Sequence, residues 1–290
     1  RDSSTSRGLG DVYKRQGLSL FHSVASFNNS GFDVLGNGTS LIPYQKDVFL
    51  NLVTCALVIA GGIGFPVIFE LPQKHFSWKR LSMHTRVVLS TTFALLLFGT
   101  LLLKLTENIS WLGAFFYSVS ARTAGFSTYN LGDFSTAGLL VVSGLMFIGA
   151  SPASTGGGIK TTTFFVLLSG IYSAATNHSE RAFHSAIPKD AFRKASVISM
   201  LAVFLVMTAS YLMLIFDPQL SLRDVLFEMI SAFSTSGLST GITSQLSAQS
   251  RILSIIMMYI GRLGPLTVAS LWYFTIGERA VSYTHLTLPT

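Results

Sequence analysis

"STGGGIKTTT" (residues 154–163) carries a glycine run followed by lysine and threonines, and two kinds of protein could claim it. One is a nucleotide-binding protein whose loop cradles phosphates. A Walker A loop, however, requires the lysine directly after the last glycine, and here Ile159 separates Gly158 from Lys160. No strand pattern precedes the loop, and no partner aspartate follows a second strand. The other claimant is a membrane protein in which this stretch interrupts a crossing. The surroundings favour the second: the loop lies inside an apolar run, 137–172, that is too long for one straight span. Gly149, Pro152, Gly156, Gly157 and Gly158 break the helix there, while Ser151, Ser154, Thr155 and Lys160 make the broken part polar.

Composition agrees. Of the 290 residues, 49% are hydrophobic and only 11% are charged, about half the charge of a soluble domain. A polytopic membrane protein is expected. Besides 137–172, apolar runs long enough to span cover 48–71, 87–105, 195–216 and 252–276. The net charge of +7 does not indicate nucleic acid, because the basic residues gather in two loops, 72–86 and 179–194. The positive-inside rule makes those loops cytoplasmic. Three semi-polar stretches too short to span, "FHSVASFNNSGF", "FFYSVSARTAGF" and "FEMISAFSTSGL", then all fall on the external side. The single Cys55 provides neither a disulfide framework nor a thiolate metal site.

Those three stretches are copies of one unit. Gly31, Gly125 and Gly237 each follow a small or polar triplet: Asn28-Asn29-Ser30, Arg122-Thr123-Ala124 and Ser234-Thr235-Ser236. Each also follows, ten residues on, an aromatic (Phe21, Phe115, Phe227), and precedes a large apolar residue (Phe32, Phe126, Leu238). A spanning run with its own glycine cluster comes next: "IAGGIGFP", "IGASP" or "IGRLGP". The unit is span, short re-entrant helix, glycine loop, span. Irregular backbone at membrane depth is tolerated only in a protein interior or along a watery path. Glycine allows the left-handed backbone needed to turn successive carbonyls inward, and a ring of carbonyls replaces the hydration shell of a cation. The twelve triplet and glycine residues are therefore the candidate selectivity filter, with a dehydrated cation expected at Gly31, Gly125 and Gly237.

Arg262 interrupts the last span, where a charge is costly and a functional role is the default reading. It follows Gly237 by the same interval that separates Ala150 from Gly125, which places it level with the start of the 149–160 loop. Arg122 would repel cations if it faced the pore. His75, His84, His178 and His184 fall in the basic loops without metal-ligand spacing. His22 opens the first short helix, where packing is expected, and Glu228 is the acid near a filter loop. No catalytic constellation is visible, and no enzyme is expected.

The words "FNNSGF", "ARTAGFST", "STSGLSTGIT", "GASPASTGGGIKTTTF" and "YIGRLGP" resemble the Trk/Ktr/HKT superfamily of potassium transporters, most closely its bacterial KtrB-type membrane subunits, over residues 17–280. The resemblance implies an all-α fold of four pseudo-equivalent span–pore-loop–span units around one pore. It implies a plasma-membrane homodimer and a cytosolic nucleotide-binding ring of the KtrA type. It also implies that 149–160 and Arg262 form a gate below the filter, and that Arg122 points behind the filter and pairs there. K⁺ would be the transported ion, with Na⁺ dependence open and no cofactor in the chain. A TrkH-type subunit is the alternative within the class. A secondary transporter with broken helices is another, though only the cationic Lys160 and Arg262 lie near the breaks. On this alignment 17–71 ends the second unit, 82–172 is the third and 193–277 the fourth, so the first unit and the start of the second are expected to be missing. Residues 1–16 and 281–290 follow no membrane or folding logic and are expected to be non-native junction sequence.

Overall fold

The computed structural model describes residues 16–33, 36, 38–176, 181–183, 185–186 and 188–264. The proposed non-native ends, apart from Gln16, lie outside them, as do His178, His184 and the far end of the last apolar run. The described chain is helical: α1 (residues 16–27), α2 (Val48–Ile63), α3 (Phe65–Gln73), α4 (Met83–Thr106), α5 (Trp111–Ser120), α6 (Thr136–Phe147), α7 (Thr161–Thr176), α8 (Lys189–Phe216), α9 (Leu222–Ser234) and α10 (Ala248–Leu263). The expectation of an all-α chain needs one small amendment. Arg181–Ala182 and Ser185–Ala186 pair as two-residue antiparallel strands in the α7–α8 connection.

Helices α4 and α8 are long and apolar enough to cross a membrane. Each leaves an apolar stripe uncovered: Phe93, Leu97, Phe98, Leu101 and Leu105 on α4; Met200, Val203, Phe204, Met207 and Tyr211 on α8. Spacings of three and four residues put each stripe on one helix face, which suits contact with lipid. The 137–172 run is interrupted as expected, with α6 and α7 separated by an irregular segment. The 48–71 run is not the single crossing expected. It bends by 97° between α2 and α3, at Gly64, whose φ of +98° few side chains tolerate. Similarly, α10 stops at Leu263, before Gly264 at φ +88°.

Polar side chains cap the starts of several helices. Ser110 and Ser221 cap the short helices α5 and α9, and Asp47, Ser135 and Ser247 cap the helices that follow each glycine loop; each side chain accepts a first-turn N–H. That satisfies one of the donors a helix start leaves unpaired. Asp217 ties the α8–α9 connection to the start of α10. The Ser250 hydroxyl, and after it the Ser247 N–H, hold its carboxyl below the ordinary carboxylate range. The stabilisation from this tie is complete above the unfolded-state pKa and is lost as pH falls through the lowered folded value.

Three cores join the units. One gathers residues of α4, α5 and α6 with Phe227 and Leu238 of the next unit. A second lies between α8, α9 and α10. The third packs α1 and α2 with Phe116, Val119 and Phe126 of the following unit. The large residue after the filter glycine thus plugs the core of the preceding unit, as Phe126 and Leu238 do. Phe32, at the same position in the first copy, is 62% exposed.

The short helices seat against glycines. A Cβ built on Gly61 would stand 1.8 Å from the Phe27 carbonyl oxygen, and one on Gly261 would stand 1.7 Å from that of Phe233. Phe27 and Phe233 are equivalent positions of α1 and α9. Gly144, on α6, has open space around it. Gly261→Val should therefore cost about 2–3 kcal/mol through overpacking and lower Tm in detergent by roughly 5–10 °C. Gly144→Ala should hold or slightly raise Tm. Equal Tm values for the two variants would show that the close approach does not govern assembly.

Candidate functional site

The three sequence triplets form one geometry. Gly31, Gly125 and Gly237 have φ of +63°, +81° and +83°, and the residues two before them, Asn29, Thr123 and Thr235, have φ of +51°, +83° and +53°. A left-handed residue, one ordinary residue and a left-handed glycine therefore recur three times. Positive φ in a non-glycine residue is uncommon, and for the β-branched threonines it is a true outlier. The surroundings hold it in place. Ser30 and Ser236 donate backbone N–H bonds to the carbonyls of Ala25 and Ser231, five residues back, and Gly125 does so to Ser120. The Ser120 and Ser231 hydroxyls donate to the carbonyls of Phe126 (2.5 Å) and Leu238 (2.6 Å), just after the glycines.

The loops converge. A Cβ on Gly31 would lie 2.6 Å from the Ala124 carbonyl oxygen, and one on Gly125 would lie 2.2 Å from that of Ser236. A Cβ on Gly237 would lie 4.0 Å from the Gly125 Cα. Of the remaining triplet members, Asn28 is exposed, while Ala124 and Ser234 are buried.

Below the loops lies the segment between α6 and α7. Gly156 abuts Thr123, its built Cβ 2.1 Å from the hydroxyl oxygen, and Gly157 abuts Thr235 at 2.5 Å. Only glycines fit this close beneath two threonines. Both threonine hydroxyls are buried, and neither has a hydrogen-bond partner among the described residues. Their counterpart Asn29, with its amide oriented to donate, is satisfied by the carbonyls of Ser26 and Val58.

The segment is braced from all sides. Ser151 and Thr155 donate backbone N–H bonds to Gly62 (3.1 Å) and Gly61 (3.4 Å), and Phe65 donates to Ala153 (3.0 Å). The bend at Gly64 thus packs against the loop at Pro152 and Ala153. Ile148 and Ile159 bridge in parallel, Ser154 Oγ donates to the Ser151 carbonyl, and Lys160 Nζ donates to that of Gly156 at 2.7 Å. Arg262 Nη1 donates to the Thr155 carbonyl. The structure brings Arg262 onto the 149–160 segment, and Lys160 lies within electrostatic range of Arg262. Gly149 leaves no room for a side chain beside the Gly157 carbonyl.

Arg122 is buried, and the expected pairing takes a weak form. Its Nη2 meets Thr92 Oγ1 at 3.5 Å, its Nε has no partner, and it has no acidic partner among the described residues. The equivalent position on the three short helices carries three chemistries. His22 bonds Thr54 Oγ1 (2.9 Å) and meets the Phe126 ring edge-on. Phe116 is apolar core. Glu228 is buried and accepts from the Ser239 and Thr243 hydroxyls just after its filter loop. His75 is exposed and His84 half-buried. Sequence reading missed the role of Gly61, Gly62 and Gly64 as the seat of the 149–160 segment. The signal was present in "GGIGFP", which shares its glycines with "GRLGP".

Residues 4–275 match the TrkH family, described as cation transport protein. The chain belongs to that family. Its members are transporters, not enzymes. The chain is 36% identical over 276 residues to the Ktr system potassium uptake protein D of Bacillus subtilis, covering 90% of this chain and 60% of that protein. It is 37% identical over 270 residues to the Ktr system potassium uptake protein B of Vibrio alginolyticus (86% and 57%). It is 36% identical over 266 residues to the potassium/sodium uptake protein NtpJ of Enterococcus hirae (87% and 58%). The chain thus spans less than two thirds of these relatives' length. Its fold matches the crystal structure of the potassium transporter TrkH from Vibrio parahaemolyticus, with a TM-score of 0.69 at 17% identity over 93% of this chain and 64% of that one.

The Arg262–Thr155 bond is a long-range link, and removing it should loosen the loop. In Arg262→Ala, hydrogen exchange at residues 153–158 should speed by about tenfold, the equivalent of one charge-assisted bond. Protection unchanged from the parent would show that the other braces suffice.

Proposed function

We propose that the chain is part of the pore-forming subunit of a bacterial potassium uptake system. What supports this most is the pair of buried, unpartnered hydroxyls on Thr123 and Thr235, directly beneath three converging left-handed glycine loops. A buried polar group without a partner is costly in hydrocarbon. A dehydrated cation passing between the loops would engage it.

In this reading K⁺ sheds its water and is bound by the carbonyls of the triplets ending at Gly31, Gly125 and Gly237. It then passes Thr123 and Thr235 and meets the 149–160 segment, which closes the path while Arg262 holds it. Identities of 36% and 37% to the Ktr proteins, against 17% to the TrkH structure, favour a Ktr-type subunit. A homodimer in the plasma membrane and a KtrA-type cytosolic ring belong to the same reading, as does a Na⁺ contribution, which the name of the Enterococcus relative supports. The exposed Phe32 argues for a fourth unit that completes the ring, since its two counterparts are buried in the preceding unit's core.

Two measurements test this, each made with the chain joined to the part of a relative that it does not span and expressed in a K⁺-uptake-deficient strain. Gly125→Ser should lower K⁺ over Na⁺ discrimination about tenfold, a loss of roughly 1.4 kcal/mol, because its Cβ meets the Ser236 carbonyl at 2.2 Å and φ is +81°. Unchanged selectivity at all three glycines would remove the filter assignment. Deleting residues 153–158, and separately Arg262→Ala, should raise K⁺ flux and loosen its regulation by the cytosolic ring. If neither change alters flux or regulation, the gate lies elsewhere.

A further inference from the structure

The turn from α3 into α4 combines exposed aromatic rings with uncompensated positive charge. Phe76 is 72% exposed and Trp78 46%. His75 and Phe76 are consecutive left-handed residues, with φ of +49° and +52°. Two successive non-glycine residues in that region persist only where surrounding contacts impose it. The His75 and Phe76 N–H groups donate to the carbonyls of Pro72 and Leu71, both at 3.0 Å. Arg86 Nη2 donates to the Lys79 carbonyl at 2.8 Å, and Trp78 packs edge-on to Phe183 of the α7–α8 connection, with ring centroids 5.9 Å apart.

The acid nearest in sequence, Glu70, is already engaged by the Ser82 N–H (2.6 Å), the Ser82 hydroxyl (2.7 Å) and the Thr85 hydroxyl. Lys74 lies within its electrostatic reach. Lys79 and Arg80, both exposed, have no ion-pair partner among the described residues. The short helical turn that carries them, Trp78–Arg80, is separated by only Leu81 and Ser82 from Met83, which opens the 24-residue apolar α4. A turn that close to a spanning helix sits at the headgroup level, where aromatic rings and basic side chains are both favoured. Out in the cytosol, the same exposed Phe and Trp would have no compensation.

We infer that residues 76–80 form a docking site for the headgroup of an anionic phospholipid. Lys79 and Arg80 supply the charge for the phosphate, and Phe76 and Trp78 anchor the turn at the acyl boundary. The inference needs only that α4 crosses the membrane. It stands or falls separately from the potassium reading.

The test uses the 290-residue chain purified in maltoside detergent and titrated with phosphatidylglycerol, phosphatidylcholine or inorganic phosphate. Native mass spectrometry reads lipid retention, and Tm is followed in parallel. Phosphatidylglycerol should be retained preferentially and raise Tm. Lys79→Gln with Arg80→Gln should weaken its retention roughly thirty-fold, about fivefold per charge, and leave phosphatidylcholine retention as it was, which reports an intact fold. Phe76→Ser should weaken retention of phosphatidylglycerol as well, whereas Arg223→Gln, in the α8–α9 region, should change nothing. Equal retention of the two lipids, or undiminished phosphatidylglycerol retention in the double variant, would overturn the site. An equal Tm rise with phosphate alone would reassign it to a free anion. A double variant that keeps the lipid but loses capture of a cytosolic nucleotide-binding ring protein would make the turn a protein interface, and the proposal would fall.

Discussion

A peptide group without a hydrogen-bond partner costs several kcal/mol in hydrocarbon, and this chain carries irregular backbone at five places inside apolar surroundings: three glycine loops, the 148–160 segment and the bend at Gly64. Much of the remaining architecture follows from accommodating them. Short helices deliver the loops to depth with serine caps at their starts, and buried serine hydroxyls satisfy the carbonyls just after the filter glycines. The 148–160 segment borrows partners from α2, through the carbonyls of Gly61 and Gly62, from α6 through the Phe147 carbonyl, from α7 through the Thr161 N–H, and from α10 through Arg262. Glycine enters wherever backbone must meet backbone within van der Waals range. That is why Gly61 and Gly261 face the ends of α1 and α9.

Satisfying the backbone also organises the apolar core. Because each loop folds back over its neighbour, the residue after the filter glycine is carried into the preceding unit, where Phe126 and Leu238 become core. The units are consequently not separable modules. Packing in one depends on a side chain of the next, and the exposed apolar stripes of α4 and α8 are what remains to face lipid.

The repeat was legible in the sequence because it rests on residues with few substitutes. Gly31, Gly125 and Gly237 occupy left-handed backbone, and the aromatics ten residues earlier mark the short helices. The break at 149–160 was legible for the same reason, since glycine and proline cannot continue a span. The right-angle bend at Gly64 was not, because composition on both sides is equally apolar and nothing in "IGFPVIF" separates a kink from a corner. The neighbour of the buried Arg122 is a threonine hydroxyl, Thr92 on α4, thirty residues earlier, which sequence spacing does not encode. That Arg262 reaches Thr155 follows from the meeting of two distant segments.

The position shared by His22, Phe116 and Glu228 bears on how such a protein changes over time. In an assembly of identical subunits one codon sets all copies of a position at once, so any change is imposed on every copy together. Here the three copies are written separately along one polypeptide. An imidazole that braces a neighbouring helix, a phenyl ring in the core and a carboxylate that ties down the segment after its loop coexist at one structural address. Covalent linkage lets the three copies carry different side chains at this address while the glycines at Gly31, Gly125 and Gly237 are the same in each. The repeat is held in common by its main chain and individualised by its side chains.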